Sequence, residues 1–193
     1  SAASDVYKRQ AYNDVTITNG DVTATSGDSA DYSCGIYADY GNIDVSGGTV
    51  IAQGGDSGDN SDGICVSKDG ITISGGEVTT TGGDTEGRSC GIDADSITIN
   101  GGVFTATGKT GTEGSYGIYT GALAITGGTI TATGNTSGVY GSSKDCKVTI
   151  APQTDQQITV LLGESETAAA AIAGSPFASE TEITSQVNNS GKY

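Results

Sequence analysis

Short segments in which apolar and polar residues alternate recur along the chain at nearly constant spacing. An apolar-polar-apolar triplet begins six times, and successive starts lie 28, 28, 26, 26 and 25 residues apart: Val15, Ile43, Ile71, Ile97, Leu123 and Val148. Alternation with a period of two places neighbouring side chains on opposite faces of a β-strand. A repeat of 25–28 residues is typical of a solenoid, in which each coil buries its apolar side against the next.

Each repeat carries two further strand signals at fixed offsets. A second strand follows an Asn-Gly or Gly-Gly turn and begins at Val22, Val50, Val78, Phe104 and Ile130. A third segment has a Gly followed by an apolar residue, at Ile36, Ile64, Ile92, Ile118 and Val139. This pattern predicts an all-β fold, a right-handed single-stranded parallel β-helix of about six coils. The competing β-sandwich would place hairpins every 8–12 residues.

The repeats divide the chain into three predicted parts. Residues 1–14 form an N-terminal extension, 15–150 the β-helix and 151–193 a C-terminal cap. Residues 5–10 resemble the translated sequencing-adaptor tails of metagenomic proteins, so we expect the first ten residues of this extension to be artefactual. We also expect the chain to be a fragment of a longer protein.

The cap breaks the repeat but keeps some secondary-structure signals. We expect an apolar strand at 158–162, a short helix at 166–173 that Gly174 and Pro176 stop, and a last strand opening at Ile183.

Composition narrows the range of partners. Eight basic residues stand against 23 acidic ones, which gives a net charge of −15, and the chain has no His. A nucleic-acid site needs clustered Lys and Arg, so nucleic acid is not an expected partner. No apolar run approaches the roughly 20 residues of a membrane span, so we expect no membrane insertion. Without His, and with no basic column beside carboxylates, we expect a protein that is not an enzyme.

Acidic residues recur in the loop that follows the second strand. Asp28, Asp56 and Asp84 hold the same position in three consecutive repeats, and Asp31 and Asp59 share a second position. Stacked carboxylates suit a hard cation, so these residues are candidate calcium ligands. The alternative is that they are solvated turn residues, because Asp favours turns.

Tyrosines mark another candidate site. Tyr37, Tyr119 and Tyr140 occupy the outward position after the apolar residue of the third segment, and Tyr116 lies close to them. Exposed rings beside polar groups suit a carbohydrate. The alternative is that Tyr is simply a good strand former.

Thr-x-Thr pairs on the second strand resemble the ice-contact face of some antifreeze proteins, although Thr is also common on strands.

The four cysteines form no obvious disulfide framework or zinc motif. Cys34 and Cys90 occupy the same repeat position two coils apart, a separation of about 9.6 Å that exceeds the reach of a disulfide. We expect reduced thiols, with Cys34 and Cys146 buried and Cys65 pointing outward.

Segments 71–83, 97–108 and 123–134 share an apolar triplet, a glycine turn and a Thr-rich strand. They resemble the Gly/Thr-rich β-helix repeats of surface proteins from clostridia and other gut Firmicutes, over roughly residues 15–193. Such repeats are often described as carbohydrate-binding domains.

The resemblance implies a non-catalytic module at a bacterial cell surface or cell wall that binds polysaccharide. Members of this family that bind acidic polysaccharides hold calcium in Asp-rich corners, so the resemblance also implies calcium-assisted binding of an acidic polysaccharide. The corners correspond here to Asp28, Asp56 and Asp84. Because such repeats also serve as spacers, the alternative is a structural stalk or adhesin module whose partner is another surface protein.

Overall fold

The computed structural model describes residues 3–5, 9–142, 146–150, 159–163 and 181–182. These residues form strands, turns and bends, and they include no helix that is long and apolar enough to cross a membrane. The helix predicted at 166–173 and most of the predicted cap lie outside the described residues.

The described strands are short at the beginning of the chain and longer in its middle. In chain order they are β1 (Ala3–Asp5), β2 (Arg9–Ala11), β3 (Val15–Ile17), β4 (Asp21–Thr25), β5 (Ser33–Ala38), β6 (Ile43–Val45), β7 (Thr49–Gln53), β8 (Ser61–Ile73), β9 (Glu77–Thr81), β10 (Arg88–Ile99), β11 (Val103–Thr107), β12 (Gly114–Ile125), β13 (Thr129–Thr133), β14 (Ser137–Gly141), β15 (Lys147–Ile150), β16 (Thr159–Gly163) and β17 (Thr181–Glu182).

The second strands of successive repeats stack into one parallel sheet. Its order is β1-β4-β7-β9-β11-β13-β16, and equivalent positions pair from coil to coil, as Val78 does with Phe104. The fold is therefore a parallel β-solenoid of about five turns, as the repeat predicts. The sixth repeat contributes β15 and β16, and the rest of it lies outside the described residues.

A second sheet joins strands that the sequence pattern separates. The third strand of one repeat continues directly into the first strand of the next, which produces the long strands β8, β10 and β12. Between Ile92 and Ile97 there is no Gly-Gly or Asn-Gly pair to break the strand. In these coils the chain therefore forms two strands, one in each main sheet, instead of three separate short strands.

One corner of this second sheet differs between coils. Ala94 pairs with Val66 but Ser96 pairs with Gly70, so β8 carries two more residues here than β10. This irregularity accounts for the change of repeat length from 28 to 26 residues. It also pushes an exposed stretch, residues 67–69, out of the regular coil.

The core is a column of β-branched and small side chains along the solenoid axis. The inward residues are buried as the alternation predicts, except Val15 and Val22 of the first repeat, which are partly buried against the core. Phe104 is the largest fully buried side chain of the described core. At the C-terminal end β16 stacks on β13, which confirms the predicted strand at 158–162 with a one-residue shift. The last described strand, β17, lies two residues before the predicted start and pairs antiparallel with β15.

Candidate functional site

A Gly-Ile pair in the third strand determines which side chains face outward. The Cβ that an alanine would add at Gly63 would lie 2.6 Å from Thr81 N and 2.7 Å from Gly91 O, so this position faces the interior backbone. Ile64, the next residue, is also buried in the core. Two consecutive inward positions reverse the alternation, so the residue before the Gly and the residue after the Ile share the outer side.

The reversal creates two adjacent columns of side chains on the outside of this sheet. We call their surface the two-column face. The first column comprises Cys34, Asp62, Cys90 and Tyr116, and the second comprises Tyr37, Cys65, Asp93, Tyr119 and Tyr140.

Two carboxyl groups and a thiol meet in the middle of the two-column face. One ligand atom each from Asp62, Cys90 and Asp93 lies within 4.8 Å of the others. Asp62 is 1% exposed, and its Oδ2 accepts a hydrogen bond of 2.6 Å from the Tyr32 hydroxyl. Its Oδ1 is buried and has no hydrogen-bond partner among the described residues. We call these three residues the acid–thiol cluster.

Burial controls the protonation of the acid–thiol cluster. Burial, together with the Asp93 carboxylate, raises the pKa of Asp62 to about 8. Burial also raises the pKa of Asp93, to about 6, against the opposing effect of the Arg88 guanidinium. The pKa of the Cys90 thiol is raised by burial and by the nearby Asp62 carboxyl. The cluster therefore favours protonated Asp62 and Cys90 at neutral pH.

Arg88 connects this cluster to the predicted tyrosines. Its Nη2 lies 3.4 Å from Asp93 Oδ2, and its Cζ lies 4.1 Å from the centroid of the Tyr119 ring. The Tyr119 and Tyr140 rings stack with centroids 5.5 Å apart and an interplanar angle of 10°. Because β10 and β14 flank β12 on opposite sides, Arg88 and Tyr140 cover the two faces of the Tyr119 ring.

The structure brings three of the four predicted tyrosines together, but not as a free platform. The Tyr116 ring lies 4.7 Å from that of Tyr140 and is only 5% exposed, so it supports the stack from below. Tyr37 lies three coils from Tyr119, with Cys65 and Asp93 between them. Its hydroxyl instead bonds Ser67 Oγ, at 2.8 Å.

The most exposed aromatic pair lies at a corner that the sequence reasoning did not single out. Tyr12 is 70% exposed and Tyr40 is 43% exposed, and their ring centroids are 5.0 Å apart. Lys68 continues the series, with its Nζ 4.1 Å from the Tyr40 ring centroid and 2.8 Å from the Tyr40 hydroxyl. We call these three residues the corner ladder. Their common spacing of 28 residues, one repeat, is the signal that would have found them.

A groove adjoins the corner ladder where β8 carries its extra residues. It has a volume of about 320 Å³. The residues that line it include Lys68, Asp69, Asp95, Asn42 and Ser96. The groove is therefore polar, and Lys68 belongs both to it and to the corner ladder.

The predicted acidic column is present as a ladder of hydrogen bonds. Asp28 Oδ1 accepts the backbone N–H of Asp56 at 3.0 Å, and Asp56 Oδ1 accepts that of Asp84 at 2.9 Å. Asp84 Oδ1 accepts the N–H of Thr110, and this bond lowers the pKa of Asp84. Each carboxylate thus satisfies a backbone donor of the next coil.

The second acidic position contributes through its backbone. The Asp59 N–H donates to the Asp31 carbonyl at 2.8 Å, and the Asp59 carbonyl accepts from Gly87 N and from the Thr85 hydroxyl. The side chains of Asp31 and Asp59 are exposed.

The burial predicted for Cys34, Cys65 and Cys146 agrees with the structure. Cys34 and Cys146 are buried as expected, and Cys65 lies on the outer side in a half-buried position. Cys34 and Cys90 share one column with Asp62 between them, so they are two coils apart. The sequence reasoning missed Asp62, because strict alternation does not foresee the reversal at the Gly-Ile pair.

Comparison with known proteins agrees with this architecture. A family model described as a beta helix repeat matches residues 15–36, 43–64, 71–95 and 123–143. No curated protein and no solved structure gave a significant match. The repeat that starts at Ile97 lies between two matched segments and is itself not matched, yet its strands stack in register with the others. The matched repeats and the in-register coils together identify the chain as a parallel β-helix domain.

Proposed function

We propose that this domain is a non-catalytic polysaccharide-binding module of a bacterial cell surface, and that sugar binds at the corner ladder and its groove. The observation that carries the proposal is an exposed Tyr12–Tyr40 pair beside a polar groove of about 320 Å³. Ligand sites typically combine apolar surface with a few polar groups that fix orientation. The rings supply the apolar surface for the face of a sugar.

The charges of the groove favour neutral sugars. Asp69 and Asp95 are hydrogen-bond acceptors for sugar hydroxyls, and Lys68 is a donor. An acidic polysaccharide would meet both carboxylates and the overall charge of −15. It would therefore need a cation to bridge it to the protein.

Two features support binding over catalysis. The chain contains no His, the side chain that most often serves as a general base. Asp62, the carboxyl whose pKa is raised to about 8, is buried and lies away from the groove lining.

Calcium is a separate proposal for the acidic column. Parallel coils lie about 4.8 Å apart, so an ion midway between two stacked carboxylates would lie about 2.4 Å from each, within the usual calcium–oxygen range. Each Asp accepts a backbone N–H with Oδ1, and Asp84 also interacts with the Thr110 side chain, so the second oxygens of Asp28 and Asp56 are the ones proposed to bind the ion.

A glycan array probed with and without calcium tests the proposed function. We expect retention on a neutral plant or microbial polysaccharide in both conditions, and weaker retention of Tyr40→Ala. Absence of retention on every glycan would reject polysaccharide binding.

That outcome would favour the second candidate, a structural stalk or adhesin module. Its support is that many polar side chains serve the stacking itself. Ser61 Oγ, for example, donates to the Gly55 carbonyl and accepts from Gly83 N, both at 2.7 Å. A module of this kind would bind a neighbouring surface protein or simply separate other domains.

A further inference from the structure

The acid–thiol cluster has the side-chain composition and the geometry of a metal-binding site. Asp62, Cys90 and Asp93 come from two adjacent coils and converge within 4.8 Å. The arrangement depends on the reversal at the Gly-Ile pair, which turns Asp62 and Cys90 toward the side of Asp93. Such convergence places three metal-ligating groups on neighbouring strands.

A second observation concerns the hydrogen bonding of the buried Asp62 carboxyl group. Asp62 is buried, and its Oδ1 has no hydrogen bond of ordinary geometry among the described residues, whereas Oδ2 accepts one from Tyr32 and the Cys90 thiol lies beside the carboxyl. A buried carboxylate oxygen without a partner is costly, because it has lost its water and gained nothing in exchange. A cation at the cluster would satisfy it.

We propose that Asp62, Cys90 and Asp93 bind a thiophilic divalent cation of the zinc type. Zn²⁺ accepts both thiolate and carboxylate ligands, and three protein ligands plus water complete a tetrahedral site. Calcium and magnesium take oxygen ligands, so a cluster with sulfur is unsuitable for them. The site is distinct from the corner ladder and from the acidic column.

The charges of the cluster allow a divalent cation to replace two protons. With Asp62 and Cys90 protonated, the Asp93–Arg88 ion pair leaves the cluster neutral. A divalent cation that binds both groups displaces the carboxyl proton of Asp62 and the thiol proton of Cys90 to solvent, so the net charge does not change. Asp93 and Arg88 have partly exposed side chains, and they mark the side from which the ion enters.

The positive charge of Arg88 is expected to weaken metal binding, and this effect can be tested. Its guanidinium lies 3.4 Å from an oxygen of Asp93 and repels a cation held by the same carboxylate. Replacement by a neutral side chain should therefore strengthen metal binding.

Cobalt substitution tests the proposal directly. We expect reduced, chelator-treated protein to bind one Co²⁺ with a thiolate-to-cobalt charge-transfer absorption band, and Zn²⁺ to abolish the band. Cys90→Ser should lose the band, and Asp62→Asn should weaken Zn²⁺ binding by more than the roughly 10–100-fold typical of a supporting group. Arg88→Gln should bind Zn²⁺ more tightly.

Cys34→Ser is the matched control, because Cys34 occupies the same column two coils from Cys90, and it should keep the band. Circular dichroism establishes whether each variant folds. If Cys90→Ser does not fold, Asp62→Asn still tests the proposal. Absence of a charge-transfer band in the wild type, or a band that survives in Cys90→Ser, would overturn the assignment.

Discussion

At the scale of single residues, carboxylates in this protein have two opposite environments. Asp56 is exposed, and its Oδ1 accepts the backbone N–H of Asp84 in the next coil. Asp62 is buried with one oxygen unpartnered. The first arrangement links two coils through a hydrogen bond to the backbone, whereas the second favours the protonated form of Asp62.

Asp56→Ala should lower the free energy of unfolding by about 1 kcal/mol, because it leaves the N–H of Asp84 without its acceptor. This corresponds to a fall of roughly 2–4 °C in Tm for a domain of this size. Urea denaturation in chelator measures the change. Asp44→Ala, at an exposed position on β6, should stay within about 0.5 kcal/mol of the wild type. Equal stabilities of the two variants would contradict the ladder.

Calcium binding at Asp28, Asp56 and Asp84 predicts a separate effect on melting. An ion that binds only the folded coils should stabilise them by about 2.7 kcal/mol at a hundredfold excess over its Kd, or roughly 5–10 °C. Asp56→Ala should lose most of this response, because Asp56 is central in the column. A wild-type melting curve that calcium and chelator leave unchanged would remove the calcium proposal.

Asp62 predicts a dependence of stability on pH in the metal-free protein. Its pKa is raised from 3.8 to about 8 by burial and by Asp93, while Tyr32, Cys90 and Arg88 act in the opposite direction. Cys65 and Cys90 also lie near this carboxyl. Because the folded state holds this proton more tightly than the unfolded state, its contribution to stability is full below about pH 4 and declines toward pH 8.

Asp62→Asn should remove that decline, since the amide oxygen keeps an acceptor for Tyr32 and carries no charge. The variant should be more stable than the wild type at pH 8 by on the order of a few kcal/mol, with little difference at pH 4. Denaturant titrations at the two pH values measure this. Parallel curves for the two proteins would show that Asp62 ionises freely.

At the scale of strands, the Gly-Ile pair is the feature that departs from simple alternation. Gly63 allows the third strand to approach the backbone of the second, and it thereby turns Asp62 outward. Gly63→Ala should cost roughly 2–4 kcal/mol, because the new Cβ would meet backbone atoms that cannot move independently. Gly27→Ala is the matched control, since its Cβ would have nothing within 4 Å. Thermal melting of both variants checks this, and equal losses would contradict the close approach.

The sequence was sufficient for the strands whose residues alternate and whose turns contain glycine. The register of residues such as Val78 and Phe104 can be predicted, because they stand at the same distance from the start of their repeats. The continuous strand β10 was not predicted, since the absence of a turn signal is weaker information than its presence. The outward direction of Asp62 was also missed, because a backbone contact between strands, invisible in the local pattern, determines it.

At the scale of the whole molecule, stacking turns a one-dimensional repeat into surfaces. Any three residues one repeat apart form a ladder, which explains the acidic column and the corner ladder alike. The acidic column was predictable because its residues are identical. The corner ladder was missed because Tyr12, Tyr40 and Lys68 differ in type, and the groove beside it depends on the two extra residues of β8.

The central claim is that the corner ladder binds polysaccharide. Native gel electrophoresis in the presence of a glycan that retains the protein on the array tests this claim most directly. The glycan should retard the wild type, whereas Tyr12→Ala/Tyr40→Ala should bind at least about 30-fold more weakly, a loss of about 2 kcal/mol. Thr105→Ala/Thr131→Ala, on the other sheet, should be retarded like the wild type. If the tyrosine variant kept its fold and were retarded as strongly as the wild type, the corner ladder would not be the binding site.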